Sequence, residues 1–303
     1  MRSPIVEARP VPVGGMNMRN APLTWNVLTA KRPGLARDLP HARPELTWVA
    51  NSATLISGKR DAVLVDTFLT SDHSRAMLEW VVASGKNLIA VFVTHAHGDH
   101  FFGLAPLLER FPQARALATP QVAQAMHANL TPEWIDGFWR KLFPGQILNE
   151  LMVADPLENG RLELEGEALI AVDTGHTDTA PSSSLFVPSI GLIVAGDVVY
   201  NGIHPYLAES NAQSRLEWIA ALDKLEALEP QAVVAGHKVP ENADDPADIA
   251  RTRQYLRDFN RMVERTTTAL ELYEAMLELY PDRVNPGSLW GGAKAAKNAS
   301  ASS

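Results

Sequence analysis

Three histidines and an aspartate fall within six residues of one short segment, THAHGDH at positions 94–100. Imidazole nitrogens and carboxylate oxygens suit borderline divalent metals such as zinc, and close spacing lets one loop offer several ligands to one point. Gly98, in the middle of the segment, permits a tight backbone turn. We therefore interpret His95, His97, Asp99 and His100 as candidate metal ligands.

The segment directly follows LIAVFV at 88–93, an apolar run that predicts a buried strand. Catalytic loops grow from strand ends in α/β folds, so this position favours a functional loop over a patch of surface histidines. The chain has no cysteine. Thiolate ligands, disulfides and a cysteine nucleophile are therefore excluded, and any metal site must use His, Asp and Glu.

The bulk composition argues against several classes of partner. The net charge is −8, and no stretch is dense in Lys or Arg, so we expect neither nucleic acid nor an anionic membrane surface as a partner. The first residues contain no apolar segment of signal-peptide length, and no run approaches the roughly 18 apolar residues of a spanning helix. We expect a cytoplasmic protein that acts on a small molecule.

Strand and helix patterns alternate along most of the chain. SATLISGKRDAVLVD and SSSLFVPSIGLIVAGD each predict a strand, a tight turn and a second strand that ends at an aspartate, Asp66 or Asp197. The first hairpin is followed by a predicted helix that begins at Ser71, and later patterns predict a helix over 132–143 and a strand over 151–154. The similarity of the two hairpins indicates two related β-rich halves.

The segment at 95–100 resembles the signature of the metallo-β-lactamase superfamily, which is His-x-His-x-Asp-His after a strand. That family expects a further His, an Asp and a last His, each after an apolar strand. DTGHT, VAGD and VVAGH offer His176, Asp197 and His237 in that order. The resemblance covers roughly residues 45–240.

The resemblance implies an α/β fold of the αββα sandwich type and a centre of two divalent metal ions. One ion would be held by His95, His97 and His176, the second by Asp99, His100 and His237, and Asp197 would bridge them. A histidine at position 97 favours zinc, with iron or manganese left open. Two such ions can share a bridging hydroxide that attacks a carbonyl, and Asp99 could pass a proton to the leaving group.

The predicted domain organisation places the catalytic unit at residues 23–240. An extended arm of residues 1–22 precedes it, and two appended helices follow within 241–290, where apolar residues form stripes at helical spacing over 246–264 and 268–280. These helices could cap the pocket or form the face of a homodimer. The low-complexity end, residues 291–303, is predicted to be disordered.

The sequence indicates the substrate less clearly than it indicates the metal ligands. Tyr200 lies three residues after Asp197, an offset at which some lactone-hydrolysing members of the family carry a tyrosine that contacts the substrate carbonyl. Candidate pocket residues are Phe101, Phe102, Trp134, Phe138 and His204. If the aromatic residues line the pocket, the substrate has an apolar portion.

The leading hypothesis is therefore a dinuclear hydrolase of a lactone or ester. The alternatives are a thioesterase of the glyoxalase II type, a hydrolytic dehalogenase and an iron-dependent sulfur dioxygenase. A binding protein that kept the metals and lost turnover is a further alternative.

Overall fold

A computed structural model describes residues 5–8, 23–36, 38–41 and 43–301 of the chain. Most of the arm predicted at 1–22 lies outside the described residues, although Ile5–Ala8 form a strand. The strands are β1 (Ile5–Ala8), β2 (Thr24–Pro33), β3 (Trp48–Ser57), β4 (Asp61–Val65), β5 (Asn87–Phe92), β6 (Arg115–Ala118), β7 (Asp155–Pro156), β8 (Arg161–Leu164), β9 (Glu167–Gly175), β10 (Ser182–Val187), β11 (Leu192–Asn201) and β12 (Ala232–Lys238).

The helices follow the same alternation. They are α1 (Ser71–Ala83), α2 (Gly98–Phe101), α3 (Leu104–Arg110), α4 (Pro120–Asn129), α5 (Pro132–Trp134), a π-helical turn (Ile135–Trp139), α6 (Arg140–Leu142), α7 (Ala212–Glu226), α8 (Ala247–Arg265), α9 (Ala269–Leu279) and α10 (Pro286–Ala301). No helix in the described ranges has the length and apolar character needed to cross a membrane.

The strands form two mixed sheets. The first has the order β1-β2-β3-β4-β5-β6-β7, and the second has the order β12-β11-β10-β9-β8. Strands β4 to β7 run parallel to one another, as do β11 and β12, while the other neighbouring pairs are antiparallel. Parallel connections place the loops after β5 and β12 at the carboxyl ends of their strands, where α/β sites form.

The two sheets pack face to face, and helices cover both outer faces. In β4 the side chains alternate: Val63 and Val65 join the core between the sheets, whereas Ala62 and Leu64 join the core beneath the helices. A strand that is buried on both faces is apolar throughout, which explains the unbroken DAVLV pattern. The predicted αββα sandwich is confirmed.

The C-terminal helices complete the second outer layer. Together with Trp218 of α7, buried side chains from α8, α9 and α10, such as Phe259, Tyr273 and Leu289, form one core against β11 and β12. The apolar stripes predicted over 246–264 and 268–280 thus correspond to α8 and α9 and serve as packing surfaces.

The structure differs from the sequence expectations in three segments. Residues 291–301, predicted to be disordered, belong to α10, where Ala293 is buried and Gly292 lies so close to Leu207 that a Cβ would come within 2.9 Å. The segment 132–143 is not one helix, because a π-helical turn containing Gly137 interrupts it. Residues 151–154, predicted as a strand, precede the short strand β7.

Candidate metal centre

The histidine loop is anchored where the two sheets meet. Asp66, in a left-handed backbone conformation with φ 60°, accepts hydrogen bonds from Thr94 N and Thr94 Oγ1, both at 2.8 Å. Ser183 at the start of β10 donates from its backbone N to Thr94 O at 2.9 Å. A Cβ at Gly98 would lie 2.7 Å from the Phe102 ring, so the loop requires glycine there.

Side chains from four strand ends converge beyond this loop. Three groups of potential ligands have all their ligand atoms within 4.8 Å of one another. These groups are His95, His97 and Asp178; His95, His100 and Asp197; and Asp99, His100 and His237. Asp197 lies between the two ends of the cluster, with Oδ1 3.3 Å from His100 Nε2 and Oδ2 3.0 Å from His237 Nε2.

Three of the imidazoles are oriented through Nδ1. His95 Nδ1 lies 3.0 Å from Thr94 Oγ1, His100 Nδ1 3.0 Å from Asp66 Oδ2, and His237 Nδ1 2.8 Å from Ala50 O. Each ring therefore presents Nε2 to the centre. Such hydrogen bonds to the second nitrogen are the usual means of fixing a ligating histidine.

His97 is oriented through Nε2 instead of Nδ1. Its Nε2 lies 3.2 Å from Glu209 Oε1, so Nδ1 faces the centre and lies 3.1 Å from Asp178 Oδ2. Thr179 Oγ1 donates to Glu209 Oε2 at 2.7 Å and fixes this carboxylate in turn. Glu209 is therefore a positioning residue for His97.

Several of the converging atoms are buried without a hydrogen-bond partner among the described residues. They are His95 Nε2, His100 Nε2, Asp178 Oδ2 and Asp197 Oδ1. Buried polar atoms in folded proteins are almost always paired, so a group of orphaned donors and acceptors aimed at one volume needs an explanation. Nitrogen and carboxylate oxygen ligands around one point fit divalent cations.

The electrostatics of the cluster favour positive charge at its centre. Burial opposes protonation of His100, but the carboxylates of Asp197 and Asp66 outweigh it and raise the pKa of His100 to about 9. Burial also disfavours the charged form of Asp197, yet His237 and His100 hold the pKa of Asp197 well below its ordinary range. Carboxylates that stay ionised when buried are suited to bind cations.

Asp99 is held ionised by residues from the first sheet. Arg32 Nη2 and Asn51 Nδ2 each donate to Asp99 Oδ2 at 2.9 Å. Burial alone would raise the pKa of Asp99, but the charges of His100 and Arg32 keep the pKa of Asp99 well below its usual range. A carboxylate that stays ionised when buried is suited to bind a cation.

Part of the cluster lines a cavity of about 590 Å³, to which it contributes His97, Asp99, Asp197 and His237. Trp134 and Phe138 stand at its mouth, with 47% and 37% of their surface exposed, and Phe102 and Trp139 extend the aromatic wall inward. Residues from α10 and the segment before it, Asn285 and Ser288 among them, also line this cavity, so the C-terminal part of the chain reaches the site.

The structure brings six of the seven predicted ligands into the cluster. His176 does not join it: its Nε2 lies 3.3 Å from Glu209 O, and Asp178 stands beside His95 and His97 instead. Tyr200 lines the cavity and donates from its hydroxyl to Asp197 Oδ2 at 2.7 Å.

Among the predicted substrate contacts, Phe102, Trp134 and Phe138 line the cavity, but two residues do not. Phe101 is fully buried in the core between the first sheet and the helices that cover its outer face. His204 is fully buried elsewhere, with Nδ1 2.9 Å from Tyr255 Oη. The expectation that these two face the site is corrected, because packing against the core takes both side chains away from the cavity.

Sequence reasoning missed four residues of the site. Arg32 and Asn51 precede the motif, and Glu209 follows the Asp197 strand on a loop without a recognisable pattern. Asp178 did carry a signal, since it is a second potential ligand two residues after His176.

Comparisons with known proteins agree with this architecture. The profile of the metallo-beta-lactamase superfamily matches residues 46–237. The chain therefore belongs to the metallo-beta-lactamase superfamily.

Solved structures of low sequence identity share the fold. A metallo-beta-lactamase from Pontibacter korlensis superposes with a TM-score of 0.60 at 15% identity, covering 84% of this chain and 100% of the other. A metallo-beta-lactamase family protein from Thermus thermophilus gives a TM-score of 0.58 at 22% identity, covering 85% and 89%. The metallo-beta-lactamase FIM-1 from Pseudomonas aeruginosa, in its mono-zinc form, gives a TM-score of 0.55 at 15% identity, and the superposition covers 85% of this chain and 96% of the other.

A curated relative by sequence is a hydroxyacylglutathione hydrolase from Actinobacillus pleuropneumoniae, 31% identical over 78 residues. The match covers 26% of this chain and 32% of the relative, so the chain spans about a third of the length of the curated relatives it matches.

Proposed function

We propose that this protein is a dinuclear metal-dependent hydrolase, with zinc the favoured metal, that cleaves the lactone or ester bond of a small, partly apolar molecule. The observation that carries the proposal is the convergence of orphaned buried atoms of His95, His100, Asp178 and Asp197 beside one open cavity, whose lining includes Asp197. Divalent cations held by the His and Asp side chains of this cluster would supply a hydroxide nucleophile at neutral pH and would polarise a carbonyl oxygen.

The chain's own residues perform the remaining tasks. Arg32 and Asn51 keep Asp99 ionised and fixed, and Tyr200 orients Asp197 through its hydroxyl. These contacts hold the reacting centre in one geometry, which lowers the cost of reaching the transition state.

The aromatic mouth supports a substrate with an apolar portion. Trp134 and Phe138 form a T-shaped pair with ring centroids 5.2 Å apart, and Phe138 and Trp139 form another at 5.0 Å. An acyl chain or aromatic ring that enters between these side chains would cover the apolar surface that Trp134 and Phe138 expose.

The test is a panel of lactones, esters and thioesters with the zinc-loaded chain, run beside the Asp197→Asn variant. We expect turnover of an apolar lactone or ester and its loss in the variant, because Asp197 lies between both ends of the cluster. Hydrolysis of none of these substrates, or undiminished activity in Asp197→Asn, would contradict the proposal.

The second candidate is a thioesterase, which the 31% identity to a hydroxyacylglutathione hydrolase supports. The same panel separates the two. A kcat/KM for a hydroxyacylglutathione that exceeds every lactone and ester value would assign the thioester as the substrate class.

A further inference from the structure

The loop between β9 and β10 carries two potential ligands, His176 and Asp178, and the structure directs only one of them to the metal centre. Gly175, with φ 67°, turns the chain at the end of β9, and Thr177 N donates to Thr179 O at 2.9 Å within the loop. This turn places residues 176 and 178 on different sides of the loop.

Asp178 points into the cluster. Asp178 is fully buried, and its Oδ2 lies 3.1 Å from His97 Nδ1 and 3.6 Å from His95 Nε2. Neither nitrogen makes a hydrogen bond of good geometry with Oδ2, and no other described residue does. Thr177 Oγ1 donates to the other oxygen, Oδ1, at 2.9 Å, which fixes the carboxylate plane. One oxygen is thus anchored and the second is free to bind a cation.

His176 points away from the cluster of potential ligands. It is half-buried, and its Nε2 lies 3.3 Å from the backbone oxygen of Glu209, on the loop that also holds His97. No group of potential ligands in the described part of the chain includes it.

We propose that Asp178, in place of His176, is the third protein ligand of the metal position formed by His95 and His97. The inference rests on the proposed metal centre. It gives the centre three carboxylates, Asp99, Asp178 and Asp197, and four imidazoles. Two imidazoles and one carboxylate are a ligand set that catalytic zinc sites use, so the assignment keeps zinc as the favoured metal.

The charge balance is consistent with this assignment. Two dications carry four positive charges, and three buried carboxylates offset three of them. A buried charge is costly without a positive partner, and His95 and His97 are neutral when they act as metal ligands, so the fully buried Asp178 then requires another positive partner. A cation beside His95 and His97 provides one.

The test compares Asp178→Asn with His176→Asn in the full-length chain. Zinc bound per chain is measured by mass spectrometry after equilibrium dialysis, and affinities are measured by calorimetric titration with zinc alone. Asp178→Asn is expected to lose one ion or to bind it more than about tenfold more weakly, whereas His176→Asn keeps the wild-type stoichiometry and affinity. Asp155→Asn, an exposed carboxylate of β7 that lies 3.6 Å from Arg115, is the charge-matched control and is expected to match the wild type.

Loss of an ion in His176→Asn, alone or together with Asp178→Asn, overturns the assignment, and so does wild-type binding in both. If Asp178→Asn does not fold, His176→Asn alone decides, because the proposal requires it to bind like the wild type. A wild-type chain that binds no zinc contradicts the proposed function itself, whereas wild-type binding with a defective His176→Asn contradicts only this inference.

Discussion

Arg32 connects the first sheet to the metal centre at the scale of a single residue. Its guanidinium is 7% exposed and donates to Asp99 Oδ2, and no other side chain from β2 is hydrogen-bonded to a potential ligand among the described residues. Removal of one partner of a buried charge pair leaves the other uncompensated.

We expect Arg32→Gln to weaken metal binding at the Asp99 end of the cluster by about 10–100-fold, because Asp99 loses one of the two side-chain donors that hold it in place among the described residues, and the only charged one. Zinc titration by calorimetry measures the effect. Lys31→Gln is the matched control: its Nζ lies 3.8 Å from Glu241 and touches no potential ligand. Wild-type affinity in Arg32→Gln would show that Asp99 needs no orientation by Arg32.

Tyr200 is expected to act through Asp197. Its hydroxyl donates to Asp197 Oδ2, and its ring stacks on His237 with centroids 5.6 Å apart. Tyr200→Phe keeps the stacking and removes the hydrogen bond, so we expect metal affinity to fall by about 10–100-fold. At saturating zinc, kcat should return close to the wild-type value. A kcat that stays low at full metal occupancy would instead assign the hydroxyl to the substrate carbonyl.

At this scale the sequence predicted the convergence of those candidate ligands that a contiguous motif specifies. His95, His97, Asp99 and His100 stand on one loop, so their spacing alone brings them together. Whether residue 176 or residue 178 faces the centre depends on the conformation of the loop after Gly175, which spacing does not encode. Arg32 reaches Asp99 across 67 positions, a contact that only the folded sheet creates.

At the scale of elements, the turn between β8 and β9 joins the two sheets. Glu165, with φ 50°, accepts hydrogen bonds from the backbone N of Lys59 at 2.9 Å, Arg60 at 2.6 Å and Asp61 at 2.9 Å, in the turn between β3 and β4. The donors at Arg60, Asp61 and Lys59 lower the pKa of Glu165 from 4.5 to about 2.

This carboxylate makes stability depend on pH. Because its pKa is lower in the folded state, its contribution is fully present above pH 4.5 and is lost as pH falls towards about 2. We expect Glu165→Gln to melt at a lower temperature than the wild type at neutral pH, with a difference that shrinks between these two pH values. Thermal melts across this range measure it, with Glu163→Gln, an exposed residue of β8, as the control. A difference independent of pH would contradict the account.

Helices and strands could be predicted from the sequence wherever apolar residues recur at a clear helical or strand spacing. The hairpin after 53, the helix from Ser71 and the strand at 88–93 all agree with the structure to within a few residues, except that β3 begins earlier, at Trp48. The sequence of α10 indicated disorder because its glycines and alanines form no stripe of large apolar residues that would predict a helix. Its helix exists because the small residues let it approach the Leu207 loop, a tertiary contact.

At the scale of the whole molecule, the C-terminal helices are part of the sandwich. Phe259 of α8 is fully buried in the core that α7, α9 and α10 share with β11 and β12. We expect Phe259→Ala to lower the free energy of unfolding by about 3–5 kcal/mol, because it leaves a cavity in a close-packed core. Denaturant unfolding measures this change.

The matched control is Leu279→Ala in α9, where the side chain is 44% exposed. A change within about 0.5 kcal/mol is expected for it. A loss below about 1 kcal/mol for Phe259→Ala would mean that α8 is attached loosely and is not a layer of the fold. The sequence predicted α8 and α9 from their apolar stripes, but not that they cover the second sheet, since a stripe does not specify its partner.

The central claim is that side chains from distant strands hold a pair of cations beside the cavity. Anomalous diffraction at the zinc edge from crystals of the zinc-loaded chain tests it most directly. Two peaks about 3.5–4 Å apart are expected, one beside His95 and His97 and one beside His100 and His237, with Asp197 between them. A single peak, or none within this cluster, would contradict the account.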